Sequence, residues 1–200
     1  MRRARSLASV ALLVVSLAGC GKKHSDAPAG TTAAVSCTPC EGASPVVDPT
    51  LLAFLSKARA AHHRADLALE ARDQDGAIRA LEALGAGHAP PGRPSEVAEV
   101  MADTHARLAD LRSGKGDFDA AERELEAGLA LAVETTHFRG HLIEVRGLVE
   151  ERRSRALAAR GELEAAERAR KAAVAAYEAA IAIQDQVIAD ALESASEKPR

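Results

Sequence analysis

The sequence predicts an all-α fold: a helical-hairpin repeat, a solenoid of about three helix pairs, preceded by a disordered tether. Three observations carry this. The chain is rich in Ala, Leu, Glu and Arg, all strong helix formers, and only 2% of its 200 residues are aromatic. Strands favour β-branched and aromatic side chains, so that scarcity counts against a β-sandwich. A turn built on glycine and acids recurs at near-constant spacing, at residues 72–77, 116–121 and 161–166. Between these turns, apolar residues return at helical intervals.

The first element is a signal. Arg2, Arg3 and Arg5 form a positive region, and an apolar run follows from Leu7 to Ala18. Roughly a dozen apolar residues suit the core of a secretory signal and fall short of the ~20 that span a bilayer. The run closes on Leu17-Ala18-Gly19-Cys20, which resembles the lipobox of bacterial lipoproteins. The resemblance implies that residues 1–19 are removed, that Cys20 is the lipidation site, and that the new N-terminus is acylated. Several acyl chains, at ~0.8 kcal/mol per buried CH₂, give a firm anchor. Residue 21 is Gly rather than the Asp that favours inner-membrane retention. The resemblance therefore implies an outer-membrane anchor facing the periplasm, or an outward-facing one where the host has a single membrane. Loss of the three arginines would take the formal charge from −3 to about −6. Such a mildly acidic chain, with interleaved charges, has no electrostatic footprint for nucleic acid.

Residues 20–49 read as the tether. Gly21 to Thr32 has no apolar period, and Pro39, Gly42, Pro45 and Pro49 punctuate the rest. That composition cannot bury a core, and a coil of this length reaches ~30 Å from its anchor. With Cys20 lipidated, Cys37 and Cys40 remain as an even pair in an oxidising compartment. A small local disulfide loop is the expectation; a redox-sensing or partner-linked pair and a metal site are the alternatives. Cys37-Thr38-Pro39-Cys40 resembles the C-x-P-C of thioredoxin-like oxidoreductases, which implies an anchored thiol–disulfide function as a second reading. That family opens a helix on its first cysteine, whereas Glu41-Gly42-Ala43-Ser44-Pro45 forms helix poorly and no βαβ pattern follows. Haem attachment needs His where Glu41 stands, and no second C-x-x-C completes a zinc site.

Residues 50–193 form the helical domain. Asp48 suits the N-cap and Pro49 the first helical position. Helix then runs to about residue 192, broken at the three tight turns and two looser joints. Gly116 and Gly161 are expected to adopt positive φ and end their helices. Asp117, Asp119, Glu162 and Glu164 then open the next helices, where the dipole favours acids. The first loose joint is Gly85–Pro94, kept out of helix by Pro90, Pro91 and Pro94. Ser95 is expected to cap the helix after it, with Glu96 in the first turn. The second joint is Thr135–Gly140. Val97, Met101, Thr104, Leu108 and Leu111 make one stripe, and Phe118, Ala121, Leu125, Leu129 and Ala132 another. In the last helix Ala166, Ala173, Ala180 and Val187 lie seven apart, with Ala169, Ala176 and Ile183 between them. This small-residue seam suits a close partner helix, which makes a homodimer through the last helix a candidate. Residues 194–200 are expected to be a frayed tail.

The turn and second helix of each block resemble the tetratricopeptide repeat. Gly116, Phe118, Ala121, Leu125, Gly128 and Leu129 carry the match. Gly161, Leu163, Ala166, Ala173 and Val174 match more loosely, and Ala77, Leu81 and Leu84 least. The period of 44–45 residues exceeds that family's usual 34, so the first helices are longer. The family's Trp, Leu-Gly and Tyr are missing; near Leu108, Ala109 and Arg112 only a Leu and a small residue agree. The resemblance implies binding rather than catalysis: no enzyme activity, no cofactor, and a groove that holds another cell-envelope protein or peptide. Tetratricopeptide lipoproteins of the bacterial envelope act as assembly adaptors, and that class of role is what it implies here. A plain antiparallel bundle, a structural spacer without a groove, is the alternative.

Other candidate sites are plainer. His137 and His141 have metal-ligand spacing on a helix, but Gly140 lies between them and the nearest acid is Glu144, so joint histidines without metal are expected. Adjacent His62 and His63 point to different faces, so at most one looks into a groove. Glu150-Glu151-Arg152-Arg153 with Arg155 reads as a solvated face of intrahelical pairs, or as a peptide clamp from Arg152 and Arg155.

Overall fold

The structure, a computed structural model, describes residues 48–196 apart from 88, 91 and 93. Cys20, Cys37 and Cys40, with the signal and nearly all of the tether, lie outside the described residues. The described chain is all-α: α1 (Pro49–Glu70), α2 (Gln74–Gly85), α3 (Ser95–Gly114), α4 (Phe118–Leu131), α5 (His137–Ala159) and α6 (Leu163–Ser196). No helix among the described residues is long and apolar enough to cross a membrane.

Side chains fix the helix starts. The Asp48 carboxylate accepts from the Thr50 amide at 2.8 Å, with Pro49 behind it. Asp73 and Asp117 do the same for Gly76 and Ala120, and Thr136 for Arg139. α3 departs from the expectation. Its N-cap is Pro94, whose carbonyl accepts from Val97 and Ala98, while Ser95 is already helical and donates only to Glu96. The fixed φ of proline (here −51°) with an extended ψ makes the entry one residue early.

The three tight turns close alike. Arg72, Gly116 and Gly161 have φ of 60°, 83° and 81°. In each, the residue after the positive φ donates its amide across the turn: Asp73 to Ala68, Asp117 to Arg112, Glu162 to Leu157. This six-to-one bond satisfies a carbonyl that the helix end would orphan.

Each turn folds its two helices together, so α1 packs on α2, α3 on α4 and α5 on α6. Among the described residues, α3 also meets α1, α2 and α5; α5 also meets α4; and α6 touches α5 alone. The core follows this order. Ile78, Leu81, Leu108 and Leu111 join α1, α2 and α3, with Phe54, Leu84 and Val97 beside them. Leu125, Leu142, Val145 and Val149 close the space between α3, α4 and α5. α3 is buried on two faces: the Leu108–Leu111 stripe on one, Ala102, Ala106 and Ala109 on the other.

The α5–α6 contact is built from small residues. Ala166, Ala169, Ala173, Ala176 and Ala180 of the seam are all buried. Opposite them stand Gly140, Gly147 and Ser154, seven apart on α5. A Cβ on Gly140 would lie 2.6 Å from Gln184 Nε2, and the Ser154 hydroxyl donates to the Ala166 carbonyl at 2.7 Å. Gly140 is thus helical and buried, not part of a joint, with a Cβ there crowding the end of the Gln184 side chain and Ile183 Cγ2 at 3.2 Å. The seam expected to suit a close partner helix finds one in α5 of the same chain. α6 also runs through Ser196, into the stretch expected to fray.

Candidate interaction face

One face of α1, α3 and α5 carries polar side chains that reach from each helix to the next. Asp66 on α1 accepts from the Arg107 guanidinium on α3 at 2.5 Å. Asp110 on α3 accepts from the Arg152 guanidinium on α5 at 2.6 Å. Asp66 and Asp110 are 44 residues apart, Arg107 and Arg152 are 45, the spacing of the turns. One pair thus joins α1 to α3 and the other joins α3 to α5. Arg152 also donates to the Asp110 carbonyl and to Ser113 Oγ, at 2.8 and 2.7 Å. It is not a solvated intrahelical residue, nor free to act as a clamp. Arg155 pairs within its own helix, with Glu151.

His62 belongs to this face. Its Nε2 lies 3.0 Å from Thr104 Oγ1, whose hydroxyl donates to the Val100 carbonyl. Its Nδ1 lies 3.0 Å from the Arg107 guanidinium, which has only donors. The ring therefore holds its proton on Nε2 and accepts at Nδ1. Burial lowers its pKa first, the Arg107 charge second, against the opposing pull of Asp103 and Asp66. His62 is the inward member of the adjacent pair; His63 is exposed.

Three clefts lie near these side chains: the first on α1, the second between α3, α5 and α6, the third between α5 and α6. Ser56, Arg59, His62, His63 and Asp66 border one of about 520 Å³. Arg107, Asp110, His141, Glu144, Leu148 and Tyr177 border the next, about 310 Å³. Glu144 and Tyr177 continue into a third of about 570 Å³, with Ile181, Gln184 and Asp185. Arg107 borders the second cleft and bonds His62 and Asp66 of the first, and Tyr177 borders the last two. The Tyr177 hydroxyl lies 3.1 Å from Glu151 Oε2, and burial, then that hydrogen bond, raise its pKa. The second and third clefts mix apolar side chains (Leu148, Ile181) with polar ones, whereas the first is polar apart from Ala60.

His137 and His141 stack with ring centroids 6.3 Å apart. His141 faces Glu144 at 3.5 Å and Asp103 of α3 at 4.0 Å, an acid that its own helix could not reveal. Among the described residues no cluster of three or more His, Cys, Asp or Glu is placed to hold a metal.

On the far side of α3, His105 Nδ1 lies 2.7 Å from Glu124 Oε2, and Arg112 donates to both Glu124 and Glu82. Burial tends to raise the Glu124 pKa, but His105 and Arg112 together bring it below its ordinary value.

The turn residues singled out in the sequence take structural places. Ala121 and Leu125 are fully buried, Phe118 and Leu129 pack against the α3–α4–α5 cluster, and Arg153 lies over the Phe118 ring at 5.6 Å. Gly116 and Gly161 hold positive φ with open space around them. Ala166 is buried, whereas Leu163 is 69% exposed. Sequence reasoning passed over Asp66, Arg107, Asp110 and Tyr177; the recurrence of Asp and Arg at the turn spacing was the available signal. No family model, no curated protein and no solved structure matches this chain.

Proposed function

We propose that this chain is a lipid-anchored, periplasm-facing helical-repeat scaffold, a binding protein rather than an enzyme. It holds another cell-envelope protein or peptide along α1, α3 and α5. The observation that carries the reading is the ion pair repeated at the turn spacing, Asp66–Arg107 and then Asp110–Arg152. It supports a tetratricopeptide-like stack in which each first helix meets the next in the same register. Contacts of α2 with α3 and of α4 with α5 agree with that order. The linked clefts then supply a groove for an extended or helical guest. The address rests on the lipobox resemblance at Leu17–Cys20.

Crosslinking in the native envelope, followed by identification of what is joined to the chain, tests the scaffold role. A stoichiometric partner lost on replacing groove residues supports it; none at all overturns it. Labelled fatty acid incorporated by the wild type and not by Cys20→Ala tests the anchor separately.

A further inference from the structure

Among the described residues, nothing covers an apolar stripe on the outer face of α6. Val174, Ile181, Ile188 and Leu192 are 45%, 62%, 57% and 67% exposed. The first three lie seven apart, so they share one stripe, beside the alanine seam and not within it. α4 shows what such a face receives in this fold. Its Phe118 and Leu129 pack on the cluster that α5 completes with Leu142 and Val145. Counted from Gly116 and Gly161, the matching α6 positions are Leu163 and Val174. Both are open to solvent, and among the described residues α6 touches α5 alone.

Charge decides the kind of occupant. Lys171, Glu178 and Asp185 lie seven apart along one side of the stripe; Lys171 lies near Glu167 of its own helix, so acids flank the stripe around Ile181. Glu144 of α5 borders the adjoining cleft with Tyr177, Ile181 and Asp185. A second copy laid antiparallel about Ile181 would set Glu178 against Asp185 at both crossings, which repels. We propose that this face docks a basic amphipathic helix of a partner protein, packed on α6 as α5 packs on α4. Its apolar residues, seven apart, cover Val174, Ile181 and Ile188, and its Lys or Arg side chains meet Glu178, Asp185 and Glu144. Glu144, Ile181 and Asp185 also border the third cleft, but the docking is independent of the Asp66–Arg107 and Asp110–Arg152 pairs that carry the groove reading.

The full chain is titrated by calorimetry with two synthetic helices, alike in Leu spacing, one flanked by Lys and the other by Glu. The Lys helix binds one to one, and the Glu helix binds at least about tenfold more weakly. Ile181→Asp with Ile188→Asp loses the binding while the circular dichroism spectrum and melting curve stay unchanged, since both side chains are exposed. Glu178→Lys with Asp185→Lys reverses the preference between the two helices. Equal binding of both helices, binding indifferent to these variants, or no binding overturns the proposal. A concentration-dependent dimer by sedimentation, abolished by Ile181→Asp, overturns it by giving the face to a second copy.

Discussion

The ring of Tyr177 lies across Gly147: a Cβ built on that glycine would sit 2.7 Å from Tyr177 Cε1. The two residues face each other where α5 and α6 cross, and the ring is held there by its hydroxyl contact with Glu151. Alanine favours helix over glycine by about 1 kcal/mol, yet here it must displace the ring. Gly147→Ala is expected to lower stability by about 1 kcal/mol in the wild type and to raise it by about 1 kcal/mol in a Tyr177→Ala background. Urea melts of the four proteins give the coupling. Additive effects would mean the ring does not enforce the glycine.

Arg72 occupies the left-handed position that Gly116 and Gly161 fill in the other two turns. A residue with a Cβ pays roughly 1–2 kcal/mol there, partly offset by glycine's freer unfolded chain. Arg72→Gly is expected to stabilise by about 0.5–1 kcal/mol, and Gly116→Ala to destabilise by about 1 kcal/mol, as read from thermal midpoints.

His62 makes stability depend on pH. Its folded pKa is lowered, chiefly by burial, so the unfolded chain binds the extra proton. The contribution is complete above the unfolded value of about 6.5 and is lost as pH falls through the folded one. The gap between the wild-type and His62→Gln stability curves is therefore expected to narrow from pH 7.5 to pH 5. A gap constant with pH would show that the ring is not held neutral.

Arg152 joins α5 to α3 through Asp110 and Ser113. The groups are partly exposed, so the net value is modest: Arg152→Met is expected to cost about 1 kcal/mol, and Asp110→Ala much the same. The double variant is expected to fall short of their sum by about 0.5 kcal/mol. Strict additivity would remove the ion pair as a register device.

Within the core, Leu125→Ala removes a fully buried side chain between α3, α4 and α5, at an expected cost of about 2–5 kcal/mol. Exposed Leu192→Ala serves as the control and is expected to change stability by less than about 0.5 kcal/mol.

The features legible in the chain alone are local ones. Composition and spacing set the helices, Asp48 and the Gly-acid turns set their ends, and the Ala seam marked α6 as a close packer. These features depend on neighbours a few residues away, within reach of propensity and capping. Tertiary structure decided the rest, because it depends on which surfaces meet. The same alanine seam serves a second chain or α5 equally well by pattern; only the crossing of α5 at Gly140 and Gly147 assigns it. The second buried face of α3 exists because α5 lies against it, and a single stripe could not announce that. Asp103 comes to His141, and Arg107 to His62, from helices some 40 residues away in the chain. Backbone hydrogen bonding is satisfied within each helix, whereas an ion pair or a missing Cβ gains its meaning only from the side chain placed opposite it.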